Sequence, residues 1–145
     1  MHPYPHTYSA HAAGDPAGLV AVTSTALPPI QSAPPPEFDG PGGVWSPETL
    51  LCAALADCFI LTFRAVSRAA KLTWLHVDCR VEGVLERAER TSQFTRFTNI
   101  VKLVVAPGTD VGTARALLEQ AERGCLIANS LRGERTLTVE VITET

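Results

Sequence analysis

Four cysteines (Cys52, Cys58, Cys79 and Cys125) and four histidines (His2, His6, His11 and His76) are the side chains best suited to chemistry. A cysteine can pack as a small hydrophobe, ligate a metal, or attack as a thiolate. Metal binding asks for ligands at close, defined spacing, such as C-x2-C or H-x3-H, beside further Cys or His. The cysteines are 6, 21 and 46 residues apart, and only His2 and His6 fit H-x3-H, near the N-terminus and without partners. No metal site and no cofactor are expected. Cys79 lies among the apolar residues of a strand face, and Cys52 in the first turn and a half of a helix. Both read as packing. Cys58 sits mid-helix after the ionisable Asp57. Cys125 follows a helix stop, where a further helical turn would aim backbone N–H groups at its sulfur and favour the thiolate. An unperturbed thiol, with a pKa of about 8.5, is only slightly ionised at neutral pH, so a nucleophile needs such help. On spacing alone both still read as packing.

The elements that must position these thiols follow from pattern. Strand-like stretches at Tyr4–Ala12 and Gly18–Thr25 flank a turn at Gly14-Asp15-Pro16, which predicts a hairpin. Pro34-Pro35-Pro36 and Asp39-Gly40-Pro41-Gly42-Gly43 predict an extended, irregular connector. Ser46-Pro47-Glu48 then opens a helix, with Ser46 as N-cap, Pro47 at the first position and Glu48 complementing the positive helix end. Its first five turns are apolar nearly all round, which predicts burial in the protein centre or between subunits. From Leu75 the period is two through Val77, Cys79, Val81 and Gly83, the pattern of a half-buried strand. A charged turn region over Glu86–Ser92 leads to a second strand, Phe94–Ala106. An amphipathic helix over Val111–Arg123 is expected to stop at Gly124, and Thr136–Thr143 is the last alternating strand. The order ββ-α-ββ-α-β predicts an α+β fold over residues 1–145, a single domain whose mainly antiparallel sheet packs on a long central helix.

Composition narrows the function classes. The 145 residues are 46% hydrophobic and 19% charged, which suits one globular domain. With 12 basic against 15 acidic side chains the net charge is −3, so no nucleic-acid or anionic-lipid partner is expected. There is no continuous apolar run of membrane-spanning length, and the stretch MHPYPHTYSA lacks the basic and apolar regions of a signal peptide. A cytoplasmic location without membrane insertion is the expectation, and there thiols are kept reduced.

The run from Pro35 to Phe59, with Ser46-Pro47-Glu48-Thr49-Leu50 and Cys58 ten residues after Glu48, resembles the OsmC/Ohr family of osmotically induced and organic hydroperoxide resistance proteins. So does Ala121-Glu122-Arg123-Gly124-Cys125-Leu126-Ile127-Ala128-Asn129-Ser130-Leu131, which is similar to that family's Ala-Glu-x-x-Cys-x-x-x-Asn-Ser-Leu. The two motifs stand in register, and the resemblance extends over essentially the whole chain, element order included. It implies a thiol peroxidase that reduces organic hydroperoxides and, less readily, hydrogen peroxide. By the same resemblance Cys58 is the peroxidatic thiol and Cys125 the resolving thiol, joined in a disulfide that an external thiol reopens. That reductant would be a lipoylated or thioredoxin-like protein, or a small thiol. Glu48 matches the Glu that holds the family's catalytic arginine.

Ten helical residues separate Glu48 from Cys58, about 15 Å along one helix. They cannot meet within a chain unless the helix breaks. Antiparallel pairing of two such helices would bring Glu48 of one subunit toward Cys58 of its partner, consistent with the family's intertwined homodimer. One departure stands out. The family's catalytic arginine lies in the N-terminal hairpin, whereas here that turn reads Gly14-Asp15-Pro16 and the first arginine is Arg64. His11 is the residue there able to carry a weaker positive charge. The alternative reading is a non-catalytic dimeric protein that binds a small apolar ligand at the subunit interface.

Overall fold

The computed structural model describes residues 1–145 and shows two compact units, Met1–Leu51 and Cys52–Thr145. The first holds an antiparallel sheet of β1 (His11–Ala13), β2 (Val20–Thr23) and β3 (Ile30–Ser32), in that order. The expected hairpin is therefore present but shorter than its alternating stretches. It gains a third strand from a segment between prolines, with Val20 opposite Ser32 and Val22 opposite Ile30. The connector is also more ordered than its prolines predict. Pro36–Phe38 forms one 3-10 turn, and Asp39 closes it in the left-handed region at φ 60°. Gly40 then passes so close to the chain that a Cβ there would lie 1.6 Å from the Pro34 carbonyl oxygen, which only glycine permits.

The Ser46 cap is as predicted. Ser46 Oγ accepts from the Thr49 N–H at 3.1 Å, and the Ser46 N–H returns to Thr49 Oγ1 at 2.9 Å. Helix α1 runs from there over Pro47–Ala69. Only the stripe Leu55, Phe59, Phe63, Ser67 is buried, at i, i+4 spacing. Within its most apolar 18-residue window, of mean hydropathy 1.8, just 17% is covered. The nearly all-round apolar helix is thus half-used by its own chain.

In the second unit β4 (His76–Ala88) and β5 (Thr91–Val105) pair antiparallel, and β6 (Glu134–Thr143) pairs with β5 in parallel. The charged region expected as a turn is instead strand almost throughout. The reversal is confined to Glu89-Arg90, both at positive φ (51° and 73°), between the paired Ala88 and Thr91. Two successive left-handed residues match the twist of a long exposed ribbon, as in type I′ hairpins. Helix α2 (Val111–Gly124) is capped by Asp110, whose Oδ1 accepts from the Gly112 N–H at 3.1 Å. Gly124 is its last helical residue, so the helix stops where this glycine predicts. The chain leaves the helix at Cys125, in extended backbone at ψ 108°, and begins the short α3 (Leu126–Asn129). Phe59 and Phe63 of α1 pack with Val77, Val101, Leu103 and Leu118 to form the core.

Helix α1 ends in a Schellman turn. Leu72 N–H reaches the Ser67 carbonyl at 2.9 Å and Lys71 N–H the Arg68 carbonyl at 3.1 Å, with Lys71 left-handed at φ 57°. A non-glycine residue there costs about 1–2 kcal/mol, and a lysine near the helix end returns about 0.3–1 kcal/mol. Lys71→Gly is expected to stabilise the fold by about 0.5–1 kcal/mol, read as a higher denaturation midpoint at unchanged slope; a lower midpoint would refute this account of the turn.

Candidate functional site

The four cysteines divide as their surroundings dictate, and no disulfide joins any of them. Cys52 packs on the backbone of Gly83, where a Cβ would meet its sulfur at 3.1 Å and the Phe94 ring at 2.9 Å. Burial raises its pKa, offset in part by the Gly83 N–H. Cys79, on the inner face of β4, packs against the core, and burial first, then Asp78 and Cys125, push its thiol up to about 12. Both behave as packing residues.

Cys58 and Cys125 are brought together. Cys58 is half-buried on α1 and opens into a groove of about 530 Å³ lined by Asp57, Leu61, Thr62, Leu126 and Ile127 among others. Cys125 is fully buried at the start of α3, and the Cys58 thiol stands near enough to it to help raise the Cys125 pKa. Desolvation holds Cys125 up at about 11, against the opposing pull of the Ala128 and Ile127 N–H groups. The short helix does aim N–H groups at this sulfur, as its position predicts, but burial is the larger effect. Leu55 and Phe59 beside Cys58 in sequence turn into the core, and the groove takes its apolar walls from Leu61 and α3 instead.

Around Cys58 the polar supply is sparse. Thr62 Oγ1 donates to the Cys58 carbonyl at 2.7 Å and lies 3.9 Å from the Cys58 sulfur. With its one proton on the carbonyl, Thr62 offers the sulfur a lone pair and no donor. The groove contains one carboxylate, Asp57, and no basic side chain. Glu48 lies in the first turn of the same unbroken α1, ten residues before Cys58, with Oε2 buried and without a partner. His11 is an exposed residue of β1.

One side chain beside the site was missed by sequence reasoning. Arg135, at the start of β6, donates through Nε to Glu122 Oε1 and through an Nη to Asn129 Oδ1, both at 2.8 Å, and through its other Nη to the Glu122 carbonyl. Asn129 Nδ2 donates to the Arg123 carbonyl at 3.1 Å. Glu122 and Asn129 are two of the polar residues of the second motif, and Arg135 ties them together across Cys125. The spacing of Glu122 and Asn129 about a cysteine was a signal that some third group must satisfy both.

Residues 40–140 match the family described as OsmC-like protein. The chain is 28% identical over 109 residues to the uncharacterized protein YmaD of Bacillus subtilis strain 168, covering 73% of each. It is 27% identical over 104 residues to peroxiredoxin OsmC of Escherichia coli K12, covering 72% of this chain and 71% of that one. The crystal structure of an organic hydroperoxide resistance protein OsmC from Legionella pneumophila superposes with a TM-score of 0.76 at 27% identity, covering 97% of this chain and 99% of its own.

Proposed function

The chain belongs to the OsmC-like protein family, which includes peroxiredoxin-type proteins, and from that premise we propose that it reduces organic hydroperoxides with Cys58 as nucleophile and Cys125 as resolving thiol. The observation that carries this is the meeting of those two thiols, one half-buried at an apolar groove and one fully buried, with the other cysteines serving as packing. In the first step the Cys58 thiolate attacks the terminal oxygen of R–O–OH. The O–O bond breaks, the alkoxide takes a proton and leaves as the alcohol, and Cys58 becomes a sulfenic acid. In the second step Cys125 sulfur displaces the sulfenic hydroxyl, which departs as water with the Cys125 proton, and a Cys58–Cys125 disulfide forms. A buried thiol held at about 11 keeps its proton until that step and does not compete for peroxide. An external thiol or dithiol, small or borne by a lipoylated or thioredoxin-like protein, restores both thiols. The uncovered apolar face of α1 supports a homodimer in which Glu48 of one subunit approaches Cys58 of its partner.

The groove's lack of a basic residue favours a second reading, a non-catalytic dimer that holds a small apolar ligand. Native mass spectrometry before and after stoichiometric organic hydroperoxide separates the two. The peroxidase predicts a dimer whose chains each lose two hydrogens, with the linkage mapped to Cys58 and Cys125. A chain that stays reduced, or oxidises only at Cys52 or Cys79, supports the binding reading, and a monomer overturns the paired-helix arrangement.

A further inference from the structure

The C-terminal end of α1 forms a second concavity, of about 440 Å³, lined by Arg64, Ser67, Arg68, Leu72, Thr73 and Trp74. Arg64 and Arg68 sit one turn apart, both exposed, and neither forms a salt bridge or a side-chain hydrogen bond. Like charges at i, i+4 destabilise a helix, so this pair is a cost to the fold. No Asp or Glu occurs in sequence between Asp57 and Asp78, and Lys71 adds a third positive charge on the turn. The helix dipole accounts for a cation in the last turn, where Arg68 lies, but its effect fades a turn earlier at Arg64.

The floor and far wall of this pocket are held by side-chain contacts. Trp74 Nε1 donates to Ser67 Oγ at 2.9 Å, and its ring lies against Phe63 with centroids 5.4 Å apart. Ser67 is buried and donates in turn to the Arg64 carbonyl at 3.3 Å. The Schellman turn occupies the Ser67 and Arg68 carbonyls, which lessens the negative end that would repel an anion. Two unpaired guanidinium forks and the Thr73 hydroxyl thus border a preformed hollow with an aromatic base.

We infer that this hollow binds a small oxyanion, a carboxylate or phosphate group, through Arg64 and Arg68. Guanidinium groups suit that chemistry because they present paired donors to two oxygens at once. The site is separate from the Cys58 groove and does not depend on the peroxidase reading. The test follows the Trp74 indole N–H by NMR, with Trp45→Phe assigning the signal. Inorganic phosphate and succinate are titrated separately at constant ionic strength, with chloride as control. A saturable shift absent from the chloride titration is expected, with affinity at least tenfold weaker in Arg64→Gln/Arg68→Gln. Saturation by phosphate alone identifies a phosphate ligand, by succinate alone a carboxylate ligand, and by both the shared oxyanion chemistry. A shift that does not saturate, that chloride reproduces, or that persists in the double variant overturns the inference. Because both positions are exposed, unchanged amide spectra elsewhere will show that the variant is folded, and Arg68→Gln alone gives a second, milder reading.

Discussion

Cys58→Ser is expected to reduce organic hydroperoxide turnover to background, a loss on the order of 1000-fold, while leaving the fold intact. The swap is close to isosteric at a half-buried position, so packing changes little. The chemistry changes completely, because a serine hydroxyl is essentially un-ionised where a thiol is already a few per cent thiolate. Cys125→Ser should behave differently. Cys58 still forms its sulfenic acid, so about one turnover per chain remains, after which excess peroxide drives Cys58 to the sulfinic acid and activity stops. The contrast is read by following alcohol release over the first turnover and at steady state, with the mass of the spent protein. Equal rates for the wild type and Cys58→Ser would end the peroxidase assignment. Steady-state turnover persisting in Cys125→Ser would remove Cys125 from it and leave resolution to the external thiol.

Much of what places Cys58 was legible because it is local. The cap at Ser46, the start at Pro47 and the apolar run of α1 are set by residues within a few positions of one another, and they appear in the structure as read. The alternation of Val77, Cys79 and Val81 likewise gave β4 its inner face, although Leu75, just ahead of the strand, is exposed. The misreadings share a cause, which is that a non-local partner decides the outcome. Ile30–Ser32 is a strand because β2 offers it an edge, not because three residues beside prolines prefer one. Glu86–Ser92 looks like a loop by charge, yet the β4–β5 ladder extends through most of it and compels Glu89 and Arg90 into the left-handed region. The parallel pairing of β6 with β5 had no local signal, since a helix between two strands permits either direction. The motifs singled out Cys58 and Cys125, which packing brings near each other, but the groove walls beside them were not legible. Leu61 and Ile127 are 66 residues apart, and only packing joins them.

Arg135→Met is expected to destabilise the protein by about 2–3 kcal/mol and to slow closure of the Cys58–Cys125 disulfide by about tenfold. Methionine matches the aliphatic stem of arginine but strands what the guanidinium held, namely the Glu122 carboxylate and carbonyl and Asn129 Oδ1. Removing one partner of a buried pair costs about 3–5 kcal/mol. Here the side chains are 27% and 16% exposed, so water recovers part of that cost. The kinetic effect follows from position. Glu122 lies in the last turn of α2, Asn129 ends α3, and Cys125 lies between them, so the clamp is placed to fix the direction in which the Cys125 sulfur points. Arg135 touches neither sulfur and acts as a positioning residue. Formation of the sulfenic acid on Cys58 should therefore keep its wild-type rate while closure slows, a split that general loosening of the fold would not produce. Arg135→Lys should recover stability only in part, because one ammonium cannot serve a carboxylate, a carbonyl and an amide oxygen in that fixed geometry. Rapid-quench measurement of the two steps decides it. If both steps slow equally, or closure keeps its rate despite lost stability, the clamp supports the fold without aiming Cys125.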